Sequence, residues 1–163
     1  MLKVGEVNTV SLVILNKYRK DGVGLHSFID NKDGYQYLYT QFEADFCHFV
    51  FPCFDQPDIK ATFTLRAQVP SEWVVISNEA TIEDAHQTSE LDDSISQAAS
   101  LFPEHAHLKI EGAKNFIFSE SFKISTYLYA ICAGPYKYHE RQSEGLPAMR
   151  IYARQTLIDD VHH

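Results

Sequence analysis

Long hydrophobic runs are missing from this chain. The longest later one, around Tyr127 to Ala133, falls far short of the roughly 20 residues that a membrane helix needs. The apolar opening stretch is broken by Glu6 and Asn8, so no targeting segment and no membrane partner is expected. Positive charge is also scarce: 14 Lys and Arg stand against 22 Asp and Glu, for a formal net charge of -8. Such a surface repels a phosphate backbone on average, which argues against a nucleic-acid partner. Cysteine is limited to Cys47, Cys53 and Cys132. An odd count with no Cys-x-x-Cys pair fits neither a disulfide framework nor a zinc knuckle, and points to a reducing, cytoplasmic setting. Gly-x-Ser-x-Gly, P-loop and dinucleotide fingerprints are absent as well.

What is present is the composition of an ordinary globular protein, with 45% hydrophobic and 22% charged residues. A chain of 163 residues can bury one conventional core as a single domain spanning 1-163. Period-two alternation dominates. Between 60 and 69, Ala61, Phe63, Leu65, Ala67 and Val69 alternate with Thr62, Thr64, Arg66 and Gln68, which predicts a strand with one buried face. Similar reading predicts strands near Val10 to Tyr18, Tyr35 to Glu43, Trp73 to Ser77, His107 to Glu111, Asn115 to Ser119, Ile124 to Cys132 and Met149 to Arg154. Turn residues separate them, among them Asp21-Gly22, Asp33-Gly34, Pro70-Ser71 and Gly134-Pro135.

One segment breaks this pattern. Leu91, Ile95, Ala98 and Phe102 recur at helical spacing, Ser89 and Asp92 offer a capping box and Pro103 a stop, so one amphipathic helix is expected there. It lies in an acidic stretch, residues 79 to 104, that contains no Lys or Arg and reads as a solvated surface. The fold class expected is mainly β: an antiparallel β-sandwich or pair of saddle-shaped sheets carrying one inserted amphipathic helix.

The block Thr40-Gln41-Phe42-Glu43, followed by Phe51-Pro52-Cys53-Phe54-Asp55-Gln56-Pro57 and Lys60-Ala61, resembles the amino-terminal domain of the M1 (gluzincin) zinc aminopeptidases. Gly22 to Asp30, Trp73 to Asn78, and Ile124 through Tyr136 look like further landmarks of that family in the right order. The resemblance implies that residues 80-114 are an insertion. It also implies that the chain is a partial domain, truncated at both ends and without the catalytic zinc domain.

Gln41 and Glu43 are two apart on a predicted strand, so both side chains leave one face and can reach one ligand. A carboxylate suits a free α-ammonium, and an amide suits a neighbouring peptide group. The resemblance implies that Glu43 holds the substrate's amino terminus and that Gln41 lines the pocket for its first side chain. After them the sequence departs from the family, with Ala44-Asp45-Phe46-Cys47-His48 where members run Pro-Ala-Asp-Ala-Arg or similar. Asp55, Pro52 and Pro57 read as turn chemistry, and Cys53 as a buried inert thiol.

Zinc hydrolysis of this kind needs His-Glu-x-x-His on a helix. The nearest approach, His139-Glu140-Arg141-Gln142-Ser143, has Ser in the second ligand position and reads as a decoy. Leu146 to Arg150 shares only Ala-Met with the family's Gly-x-Met-Glu-Asn block and reads as the start of a strand. His105 and His107 could make half a metal site, and His162-His163 are native or the stub of a tag. Zinc is therefore expected in the full-length enzyme and none on this chain. The implied partner is a peptide amino terminus, engaged together with the missing catalytic domain. The implied function is substrate recognition for an enzyme that removes amino-terminal residues, with the isolated chain inactive. The alternative is a noncatalytic β-sandwich interaction module or pseudoenzyme fragment, suggested by the insertion and the altered 44–48 loop.

Overall fold

The computed structural model describes residues 3–82, 85–104 and 112–161. Its strands are β1 (Gly24–Ile29), β2 (Gln36–Gln41), β3 (Arg66–Val69), β4 (Val74–Ser77), β5 (Lys114–Ile117), β6 (Ile131–Gly134), β7 (Lys137–Arg141) and β8 (Met149–Ala153). One α-helix, α1 (Ala85–Leu101), lies between β4 and β5. Every pairing of these strands is antiparallel: a four-stranded sheet β1-β2-β6-β4 and the two-stranded sheets β3-β5 and β7-β8. The mainly β fold with one helix is as the alternation predicts.

The main core forms where the four-stranded sheet faces β3-β5. Leu38, Val75 and Ala133 from the larger sheet meet Val69 and Phe118 from the other layer, with Leu25, Leu65, Trp73 and Phe116 packed around them. The alternation of 60–69 is visible in burial, since Phe63, Leu65, Ala67 and Val69 turn inward while Thr62, Thr64 and Arg66 are exposed. Only Arg66–Val69 satisfies strand geometry, but the pairing continues loosely. The Phe118 and Ser121 amides donate to Leu65 and Phe63 carbonyls, and Ala61 exchanges both bonds with Ile124.

The β1-β2 hairpin turns where the sequence signals it. The Asp33 carboxylate accepts from the Tyr35 amide at 2.8 Å, and Gly34 takes φ +73°. A second glycine is required by proximity. At Gly134 (φ +154°) a Cβ would lie 3.0 Å from the Tyr37 ring and 3.1 Å from the Gln36 carbonyl oxygen, because β6 passes directly against β2.

Three expectations need correction. Val10 to Tyr18 is no strand. Val10, Leu12, Val13, Ile14 and Leu15 are 42–66% exposed, and the stretch pairs with no strand among the described residues. Apolar β-formers supply propensity, but a strand exists only where a partner backbone takes its hydrogen bonds. Here the Asn16 side-chain amide donates to the Phe49 carbonyl at 2.6 Å, and only Arg19 bridges to β1, at His26. Ile124 to Cys132 is broken by a 3-10 turn, Thr126–Leu128, before β6 begins at Ile131. The helix starts at Ala85, so Ser89 lies within it rather than capping it. Its inner face does carry Leu91, Ile95 and Ala98, half-buried, and Asp92 accepts a 3.1 Å bond from Gln68 on β3. The predicted strand at His107 to Glu111 lies outside the described residues.

Candidate functional site

Gln41 is the last residue of β2, opposite Gly24 of β1. Three contacts fix the backbone there. The Thr40 hydroxyl oxygen accepts from the Ile131 amide at 2.8 Å, tying the end of β2 to β6. Phe42 is 1% exposed and sits in a second core with Cys47 and Tyr129, edge-on to Phe51. The chain then turns, with the Phe46 amide donating to the Phe42 carbonyl at 3.0 Å, into the 3-10 turn Cys47–Phe49. The strand expected to run to Glu43 ends at Gln41, and Glu43 lies in the turn after it; with Phe42 buried, Gln41 and Glu43 on either side of it are both exposed. The Glu43 amide donates to Gln41 Oε1 at 3.4 Å, and the Glu43–Ala44 peptide is cis. Among the described residues Glu43 makes no ion pair. The two predicted site residues thus stand together on the surface beside a rigid anchor, a carboxylate and an amide available to a ligand.

Asp55 backs this loop and does more than shape a turn. Its Oδ1 accepts from the Thr126 hydroxyl at 2.6 Å, and its Oδ2 accepts from the His48 amide at 2.9 Å with the His48 Nδ1 at 3.0 Å. The Ser125 hydroxyl donates to the Pro57 carbonyl at 2.5 Å. The loop 48–57 is therefore stapled to the 3-10 turn ahead of β6. Burial raises the Asp55 pKa, but the Thr126 hydroxyl, the His48 amide and the His48 ring together outweigh it and hold the carboxyl below its ordinary value.

The same loop gathers a group that no spacing along the chain signals. Single ligand atoms of Cys47, Cys53 and Asp55 all lie within 4.8 Å of one another. Burial pushes both thiols up from their usual pKa. The 47–53–55 spacing matches no metal motif, and only the closure of the loop brings the three together.

The residues resembling hydrolytic motifs do not fit catalytic zinc. His139 and Glu140 are neighbours on β7, where successive side chains take opposite faces, rather than one helical face. The His139 ring lies 3.1 Å from the Ile158 carbonyl, and Glu140 pairs with Arg150 at 2.5 Å. Met149 opens β8. His105, His107, His162 and His163 lie outside the described residues.

A hollow of about 490 Å³ opens between the four-stranded sheet and the β7-β8 hairpin, lined by Phe28, Tyr37, Tyr39, Tyr136, Tyr152 and Arg154. Arg154 is already committed there, donating to Asp30 Oδ2 at 2.9 Å and lying over the Phe28 ring.

Comparison with known proteins places these features in context. The model of the Peptidase M1 N-terminal domain matches residues 6–128. The chain is 32% identical over 156 residues to "Aminopeptidase N" of Streptomyces lividans, an alignment covering 93% of this chain and 15% of that protein. It is 32% identical over 142 residues to "Probable M1 family aminopeptidase 2" of Encephalitozoon cuniculi (strain GB-M1), covering 87% of this chain and 14% of that protein. It is 28% identical over 150 residues to "Puromycin-sensitive aminopeptidase" of Caenorhabditis elegans, covering 91% and 13%. The chain therefore spans about 15% of the length of the first of these relatives.

Proposed function

Because the chain belongs to the M1 peptidase amino-terminal domain family, we propose that it serves as the substrate-recognition domain of a zinc-dependent aminopeptidase that removes residues from peptide amino termini. The observation that carries this reading is the pairing of exposed Gln41 and Glu43 around fully buried Phe42. Glu43 accepts hydrogen bonds from the peptide's α-ammonium, and Gln41 pairs with the first residue's peptide group or side chain. Holding the amino terminus at a fixed point sets the register, so that only the first peptide bond reaches the hydrolytic centre of the longer protein.

Dielectric environment decides how much such a contact can do. An exposed ammonium–carboxylate pair contributes about 0–1 kcal/mol. In a closed cleft with an effective dielectric near 20, the Coulomb attraction at 4 Å reaches about 4 kcal/mol before desolvation is subtracted. Glu43 is exposed in this chain, so the isolated domain holds peptides too weakly to measure and turns none over. Leucine release from a leucyl anilide by the pure, zinc-supplemented 163-residue chain, abolished by a chelator, would overturn the assignment of recognition without hydrolysis. Within the longer aminopeptidase, Glu43→Gln is expected to raise KM or lower kcat.

A further inference from the structure

We propose that Cys47, Cys53 and Asp55 form a binding site for one thiophilic divalent cation, zinc above all, with solvent in the fourth position. The site stands independently of the peptidase reading. It also departs from the expectation that this chain holds no metal.

The donor set is the first argument. One ligand atom each from Cys47, Cys53 and Asp55 lies within 4.8 Å of the others. The His48 ring stands outside this group, with its Nδ1 3.0 Å from Asp55 Oδ2, so the fourth position is left to solvent. Two sulfurs and a carboxylate oxygen suit zinc and are poorly matched to magnesium or calcium. Tetrahedral zinc with bonds of about 2.0–2.3 Å places neighbouring ligand atoms about 3.3–3.8 Å apart, so closure around an ion needs shifts on the order of 1 Å.

The surroundings are the second argument. Cys47 is fully buried against Phe42 and Tyr129, with Phe51 and Phe63 behind them, which gives the site a dry inner wall. His48 is exposed with its side chain 46% accessible, and Cys53 is half-buried, so an ion can enter from that side. Asp55 is already oriented by groups that need not move. The Thr126 hydroxyl holds Oδ1 at 2.6 Å and the His48 amide holds Oδ2 at 2.9 Å, the kind of outer contact that fixes a ligating carboxylate. On binding, the two thiols each release a proton to solvent, and the two thiolates and the Asp55 carboxylate bond to the metal. The third cysteine, Cys132, is on β6 outside this group and serves as a control.

The test uses the reduced 163-residue chain loaded with Co2+ or Zn2+ and freed of loose ions by gel filtration. One equivalent of metal should be retained, with thiolate-to-cobalt charge-transfer absorption. Both signals should disappear in Cys47→Ala and in Cys53→Ala and persist in Cys132→Ala. Metal retained by the Cys47→Ala, Cys53→Ala double variant, or no charge-transfer band in the parent chain, overturns the proposal. Should the core substitution unfold the chain, alkylation of the parent chain decides. Zn2+ should slow modification of Cys53 at least tenfold and leave Cys132 unchanged, whereas equal rates with and without Zn2+ overturn the site. A Cys47–Cys53 disulfide that forms in air despite saturating Zn2+ also counts against it.

Discussion

The Thr126 hydroxyl donates a 2.6 Å hydrogen bond to Oδ1 of Asp55, across 71 residues of sequence. This contact joins the loop behind Gln41 and Glu43 to the turn that launches β6, so the two exposed side chains rest on a cross-linked base.

Asp55→Asn should therefore destabilise the fold by about 1.5–3 kcal/mol at neutral pH, the usual cost of weakening hydrogen bonds to a charged acceptor. The pH dependence has a definite sign. The folded-state pKa of Asp55 is lowered, so its contribution is present above the ordinary carboxyl value of about 3.9 and is lost as pH falls through the folded value. Urea melts followed by circular dichroism should show parent and variant well separated at pH 7 and converging in strong acid. A gap independent of pH would contradict the assignment.

Phe42→Ala should cost about 3–5 kcal/mol, because a fully buried ring is replaced by a cavity beside Cys47 and Tyr129. Phe42→Leu should cost less. Chemical denaturation measures both, and a loss within about 0.5 kcal/mol for Phe42→Ala would place the ring outside the core.

Gly134→Ala should destabilise by about 1–3 kcal/mol through overpacking. The added methyl would meet the Tyr37 ring at 3.0 Å and the Gln36 carbonyl at 3.1 Å, at a backbone angle that side chains rarely adopt. Gly22→Ala, at φ +88°, meets no atom within 4 Å and tests the cost of a positive φ without crowding. Thermal melts of the two variants separate crowding from backbone conformation.

Much of this structure is legible from periodicity, because burial writes itself into alternation. Phe63, Leu65, Ala67 and Val69 point inward as their spacing implies, whereas Glu43, which the same rule places on a strand, lies in the turn that follows β2. Val10 to Tyr18 carries the apolar content of a strand without a partner, and pairing is a property of two segments that one segment cannot display. The polar alternation of β7 hides a strand, since Tyr138 and its neighbours are largely exposed and leave no buried face to notice. The meeting of Cys47, Cys53 and Asp55 depends on how a loop closes, for which spacing holds no rule. The staple from Thr126 to Asp55 is hidden for the same reason.

We propose that exposed Glu43 holds a peptide's amino terminus. The most direct test is kcat/KM for a leucyl anilide in a longer aminopeptidase proposed to carry this domain, comparing the parent with Glu43→Gln. Removing the charged acceptor at a desolvated contact, at about 1.5–3 kcal/mol, predicts a fall of roughly 10- to 150-fold with the melting temperature unchanged. An unchanged kcat/KM in a fully folded variant would contradict the account.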